Sequence, residues 1–210
     1  MDIFEAIETR HSVRKFKPDQ VPLSDLEKII NAARLAPSST NAQMWHFIVI
    51  TNNNIKNNMK QAIIQTYDKV LSWKESEGNE NKINFYKQFS TFFTDAPVNI
   101  AVLMEPKKSV MEEILKKKGF SHQEILRRRP NPALLSIGAA IENLSLAAHA
   151  LGYGTCWLTA PIHASHDLEK ILDVKPPFQL VSFLCLGVPE SIAGSAPAKK
   201  ELSEIMSILE

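Results

Sequence analysis

Read for its alternation of apolar and polar positions, the chain resolves into four short β-rich runs set among amphipathic helices. WHFIVI at 45–50, VNIAVLM at 98–104, GTCWL at 154–158 and FQLVSFLCL at 178–186 are rich in branched, aromatic and aliphatic residues and bounded by turn formers; they predict four strands of one sheet. Asp2 is placed to cap a short helix with Ile3, Phe4 and Ile7 on one face. Ser24 and Glu27 form the Ser-x-x-Glu capping box of a second helix, which buries Leu26, Ile29, Ile30 and Ala33 and stops before Pro37, whose ring disfavours helical geometry in the residue ahead of it. Between the second and third strands, NPALLSIGAAIENLSLAAHALG starts at Asn131 and Pro132, suited to N-cap and first helical position, and ends at Gly152, suited to the residue past the C-terminus. This segment is apolar almost all round. It is expected to be a central core helix, with only Glu142, Asn143 and His149 in need of polar partners.

Composition narrows the class. With 44% apolar and 22% charged residues over 210 positions, the chain suits one large globular domain, 1–210. Lys and Arg number 24 against 23 Asp and Glu, so the net charge of +1 gives no global field to recruit nucleic acid or an anionic membrane. Anion binding has to be local. The first twenty residues carry no apolar signal-peptide core, and runs such as LVSFLCLGV at 180–188 fall short of the roughly 20 residues a spanning helix needs. Cys156 and Cys185 each sit in an apolar run, which argues against a disulfide scaffold. A soluble, cytoplasmic protein is expected.

Candidate chemistry falls in a few places. In RHSVRKF at 10–16, Arg10, Ser12 and Arg14 are spaced by two, so an extended chain projects them from one face, with His11, Val13 and Lys15 on the other. Two guanidiniums and a hydroxyl suit a phosphate; a solvated loop after a helix suits the same spacing. Ser12 and Lys15 also spell Ser-x-x-Lys, but the companion motifs of acylating enzymes are missing. APSSTNAQMW at 36–45 offers an uncharged surface of hydroxyls and amides, fit for a ligand with many oxygens and ring nitrogens, or simply a long polar turn. GYGTCW at 152–157 lacks the third glycine of a dinucleotide fingerprint and opens a strand instead of a helix. The P-loop and the usual zinc and di-iron signatures are also missing from the sequence. His163 and His166, near Glu169, are spaced for a metal from one helical turn, but without a further His or Cys cluster a surface loop is the preferred reading. Residues 107–129 hold eight Lys or Arg against Glu112, Glu113 and Glu124. They suit either a solvated, mobile insertion, the preferred reading, or a cationic lid admitting a phosphorylated or acidic co-substrate. Phe120 is the one aromatic there, which argues against nucleic-acid binding.

Taken in order, RHSVRKF, APSSTNAQMWHF, IENLSLAAHALGYGTCW, LCLGVPE and a basic C-terminal segment resemble the nitroreductase family of flavin enzymes, from about residue 2 to residue 206. The resemblance implies an α+β fold, with a mostly antiparallel sheet flanked by helices around a long central helix, in an intertwined homodimer. It places Arg10, Ser12 and Arg14 on the phosphate and ribityl chain of FMN with His11 nearby, and it assigns Pro37, Ser38, Ser39, Asn41 and Gln43 to the flavin of the other subunit. Leu158, Thr159, Ala160 and Pro161 match the segment beside the isoalloxazine ring, and Lys199 matches a basic residue on the phosphate. Two departures stand out: Lys199 where Arg is frequent, and Met44 where proline is frequent. The implied activity is ping-pong transfer of hydride from NADH or NADPH through flavin to nitroaromatics, quinones or similar acceptors. The alternatives are a narrower task of the same flavin (reductive dehalogenation, enone reduction or a biosynthetic oxidation) and a non-catalytic FMN store or sensor. No protein nucleophile or general base is required, since the cofactor carries the chemistry.

Overall fold

A computed structural model describes residues 1–191 and 198–209. In chain order the helices are α1 (Ile3–Thr9), α2 (Leu23–Arg34), α3 (Asn53–Leu71), α4 (Glu80–Phe89), α5 (Val110–Lys118), α6 (His122–Arg128), α7 (Pro132–Ala150), α8 (Ser165–Ile171) and α9 (Leu202–Ile205). The strands are β1 (Trp45–Ile50), β2 (Val98–Met104), β3 (Gly154–Leu158) and β4 (Gln179–Gly187). They form one sheet in the order β1-β2-β4-β3, with every neighbouring pair antiparallel.

Each predicted strand is present, the last displaced by one residue. β2 is buried along its whole length, because both faces of the sheet are covered. Val98, Ile100, Val102 and Met104 join Leu26, Ile29 and Ala33 of α2 and Ile137, Ile141 and Leu144 of α7 in one core. Ala101 and Leu103 point the other way, into a second core with Met59, Ile63 and Tyr67 of α3 and Leu168 of α8. Alternation along one strand thus feeds two cores. The large side chains among these, such as Ile29, Ile63, Ile141 and Leu144, are wholly buried, each stabilising the fold by about 1.5–3 kcal/mol.

α7 has the expected ends: Asn131 accepts from the backbone N–H of Ala133 and Leu134, Pro132 opens the helix, and Gly152 takes φ +87° just beyond it. Its burial differs from expectation. Ala133, Ser136, Ile137, Ala140, Ile141, Leu144, Ser145 and Ala148 face the sheet and α2, whereas Leu134, Leu135 and Leu151 are exposed. Within one chain the helix is therefore half-covered, and its uniform apolarity exceeds what a single chain uses. By length and hydropathy it also passes as a membrane span, contrary to the sequence estimate; its sheet-facing side lies in the core.

Other differences have local causes. α2 starts at Leu23 with Pro22 as N-cap and no side-chain cap, so Ser24 lies inside the first turn and the expected capping box is not formed. The basic stretch at 107–129 carries two helices, α5 and α6. Ser109 caps α5, Gly119 ends it at φ +93°, and a true capping box between Ser121 and Glu124 starts α6. α3 and α4 occupy a stretch where the sequence reading drew no elements, although Ile55, Met59, Ile63 and Tyr67 in α3 follow a helical period. α3 also carries Lys56, 3% exposed, whose ammonium donates to the carbonyls of Ala96 at 2.9 Å and Pro97 at 3.4 Å. Burial holds its pKa below the usual lysine value, with Asp95 opposing that shift.

Candidate functional site

After α1, the chain leaves the helix extended and runs along the free side of β3. Ser12 bridges Thr155 in parallel, and the Val13 N–H donates to the Thr155 carbonyl at 2.8 Å. Farther on, Phe16 bridges Pro189, and Lys17 and Glu190 add backbone bonds to Val188 and Lys15. The expected two-residue alternation holds at its centre, where buried Val13 lies between exposed Ser12 and Arg14, but not at its ends, where Arg10 and His11 are both half-buried and Lys15 is exposed. Gly154 permits this close approach, since a Cβ there would lie 2.5 Å from Val13 Cγ2.

Polar groups of α7 hold the entry to this segment. The Arg10 Nε lies 3.2 Å from Glu142 Oε1 in an ion pair, and among the described residues no hydrogen-bond acceptor engages its terminal guanidinium nitrogens. Thr9 Oγ1 donates to the Glu5 carbonyl at 2.6 Å, so at its 2.7 Å contact with His149 the imidazole Nε2–H must be the donor. His149 thus carries a hydrogen on Nε2, and its pKa is lowered by burial, then by the nearby His11 and Arg10. Asn143 donates to the Ala32 carbonyl at 3.2 Å. The three polar residues flagged on the central helix all have partners, two of them at the root of the Arg-x-Ser-x-Arg segment. His11 Nδ1–H donates to the Thr9 carbonyl at 3.1 Å, and the Arg14 guanidinium lies 5.7 Å from the centre of the Phe89 ring.

β3 ends at Leu158, whose side chain is buried and whose carbonyl accepts from Ser182 Oγ at 3.1 Å. Thr159 leads into a 3-10 turn, Ala160–Ala164. A hydrogen-bond relay secures that turn. Ser90 Oγ donates to the Tyr86 carbonyl at 2.6 Å, so Tyr67 donates to Ser90 at 3.0 Å and accepts from His163 Nδ1 at 2.9 Å. His163 is therefore engaged in structure, and among the described residues no group of three His, Cys, Asp or Glu is placed to hold a metal. Cys156 and Cys185 face each other across β3 and β4 as buried free thiols, their pKa raised by burial.

The second polar block lies elsewhere. Ser38 Oγ accepts from the Gln43 N–H at 3.0 Å, Ser136 Oγ near the start of α7 accepts from the Ser39 N–H at 3.1 Å, and Gln43 Nε2 donates to Asn41 Oδ1 at 3.2 Å. Thr40, Asn41 and Gln43 all have positive φ, from 44° to 56°, a tight left-handed course few non-glycine residues adopt. Pro37, Ser39, Asn41 and Gln43 are exposed, as is Lys199. The structure thus seats the segment carrying Arg10, His11, Ser12 and Arg14 on the start of β3, at Gly154 and Thr155, while Leu158 and the 160–164 turn are held from Ser182 and Tyr67. It sets the 37–43 block apart, near the opposite end of α7. Tyr67, Phe89, Glu142 and the Thr9–His149 pair are contacts that motif spacing did not assign.

An antiparallel α+β sheet with a forked-donor segment along one edge defines the class. Residues 7–188 match the Nitroreductase family, and the chain belongs to it. The crystal structure of a BluB-like flavoprotein from Clostridium difficile 630 is 32% identical, with a TM-score of 0.87 and full coverage of both chains. A nitroreductase with bound FMN from Bacteroides fragilis shares the fold at 21% identity and a TM-score of 0.72, again over the whole of both chains. Among curated relatives, a protein of Methanothermobacter thermautotrophicus provisionally named NADH dehydrogenase/NAD(P)H nitroreductase is 31% identical over 157 residues, 75% of this chain; that match spans 60% of the relative's own length. The iodotyrosine deiodinase of Hydra vulgaris is 27% identical over 216 residues, 98% of this chain and 72% of the relative.

Proposed function

We propose that the protein is an FMN-dependent oxidoreductase that uses NADH or NADPH to reduce nitroaromatics, quinones or similar acceptors, working in the cytoplasm as a homodimer. The observation that carries this reading is the fixed donor edge. Arg10, Ser12 and Arg14 project from a strand anchored by backbone bonds to β3, and Arg10 keeps its terminal nitrogens available while Glu142 orients it. Planar, forked donors of this kind fit the phosphate of FMN, and Lys199 adds a point charge. FMN, when bound, supplies the acceptor and donor of hydride. The protein's own work is to hold the phosphate end, keep the 158–161 turn in place through Tyr67 and His163, and admit flat molecules over the site.

The same geometry supports the homodimer. The 37–43 block does not reach the Arg10–Arg14 edge of its own chain, and α7 leaves Leu134, Leu135 and Leu151 uncovered. A second copy supplies both a cover for that face and the neutral hydrogen-bonding loop for the other flavin. A narrower second reading, reductive dehalogenation, is favoured by the near-full-length match to the Hydra deiodinase. The visible spectrum of the purified protein, with and without added FMN, tests the flavin. Anaerobic mixing with NADH or NADPH should then bleach it rapidly, and reoxidation by a panel of nitroaromatics, quinones, enones and halogenated aromatics separates the two readings. A protein that stays colourless and cannot be reconstituted defeats both.

A further inference from the structure

The basic stretch that the flavin site leaves unused lines a cavity of about 620 Å³. This lies within the range of small-molecule sites. One wall is the loop assigned to the neighbouring flavin, through Ser39 and Thr40; the other is formed by α5, α6 and the residues preceding them. Four cations line it, Lys107, Lys108, Lys116 and Arg129, against the carboxylates of Glu112 and Glu113. Glu112 is already paired with Lys116 at 2.7 Å, and Lys107 donates to Thr40 Oγ1 at 3.0 Å, tying the cationic wall to the loop. Among the described residues, neither Lys108 nor Arg129 has a carboxylate in an ion pair. Met44, Ile125 and Leu126 add apolar lining beside them. The chain as a whole is nearly neutral, so this excess of positive charge belongs to the cavity and not to a general surface bias.

We propose that this cavity takes the anionic end, a carboxylate or phosphate, of a small co-substrate whose flat portion lies against the apolar residues and the flavin loop. Lys108 and Arg129 are the recognising groups. The inference rests on the proposed flavin function for its position beside the cofactor, but binding of the anion is a separate observable. An acidic aromatic acceptor and the 2′-phosphate of NADPH present the same chemistry here.

The test compares matched pairs by calorimetric titration of the full-length protein, with its FMN content measured beforehand by absorbance. The pairs are 4-nitrobenzoate against 4-nitrobenzyl alcohol, and NADPH against NADH. The charged member of one pair should bind at least about tenfold more tightly. The Lys108→Gln, Arg129→Gln double variant should reduce that preference to less than about threefold while leaving FMN content unchanged. Preference within the first pair identifies an acidic acceptor, and preference within the second identifies the nucleotide phosphate. Equal binding within both pairs, or a preference that survives the double substitution, overturns the proposal. A parent protein that holds no flavin yet shows an anion preference that the double substitution removes would sink the flavin reading alone.

Discussion

Arg10 and Glu142 join the first residue of the donor edge to the middle of α7, with Nε and Oε1 3.2 Å apart. Both side chains are partly open to solvent, so the pair adds little to stability. Its effect is positional: it holds the guanidinium beside the middle of α7, at the root of the donor segment.

Replacing Arg10 or Arg14 with alanine should lower FMN affinity about tenfold to hundredfold, the range expected for losing charge-assisted hydrogen bonds of about 1.5–3 kcal/mol. Flavin fluorescence titration measures this, and thermal unfolding of the flavin-free proteins should be nearly unchanged. An Arg14→Ala variant that holds FMN as tightly as the parent would show that the phosphate is gripped elsewhere.

Gly154→Ala should be harmful without touching any donor. The new methyl meets Val13 at 2.5 Å, and because Val13 is itself buried against β3 the extended segment must shift outward. Overpacking of this kind costs about 1–3 kcal/mol. The expected result is a lower melting temperature together with weaker FMN binding; a loss of stability alone would uncouple the strand's position from the site.

His149 gives a pH signature. Its folded pKa lies below the ordinary 6.5, so near and below that pH the unfolded chain binds the proton more readily. Its contribution is constant above the ordinary value and is lost as pH falls through the window beneath it. In His149→Gln, which retains a donor for Thr9, urea unfolding should show a shallower decline on the acid side of pH 6.5 than in the parent. Parallel profiles for the two proteins would assign the acid sensitivity to other groups.

Leu135 is 68% exposed on the bare face of α7. Leu135→Glu should convert a dimer to a monomer in analytical ultracentrifugation and reduce FMN occupancy, because each flavin then lacks the other chain's 37–43 block. A variant that remains dimeric would place the interface on another surface.

Much of this architecture could be read from local pattern. All four strands, the two ends of α7 and the burial of Val13 between Ser12 and Arg14 follow from spacing and terminal residues, which act over a few positions. What could not be read depends on distant packing. The apolarity of α7 suggested complete burial because sequence does not show which apolar positions the packing of the chain covers, and Leu134, Leu135 and Leu151 are left exposed. Ser24 and Glu27 have capping-box spacing, yet with Pro22 as N-cap the helix starts two residues earlier, at Leu23. Nothing about Lys56 signals burial, since its partners are carbonyls forty residues away. The need of Glu142 and His149 for partners was legible, but the partners' identities waited on the path of the chain after α1.

That path has a second consequence. β3 is the last strand of the sheet, and its outer side would otherwise offer unpaired backbone groups to any passing extended chain. The backbone of Ser12 and Val13 occupies that side. One short segment thus both closes the outer edge of β3 with its backbone and carries the side chains proposed for the phosphate, so a backbone shift that bares that edge also displaces those side chains, whereas trimming a side chain alone leaves the edge covered.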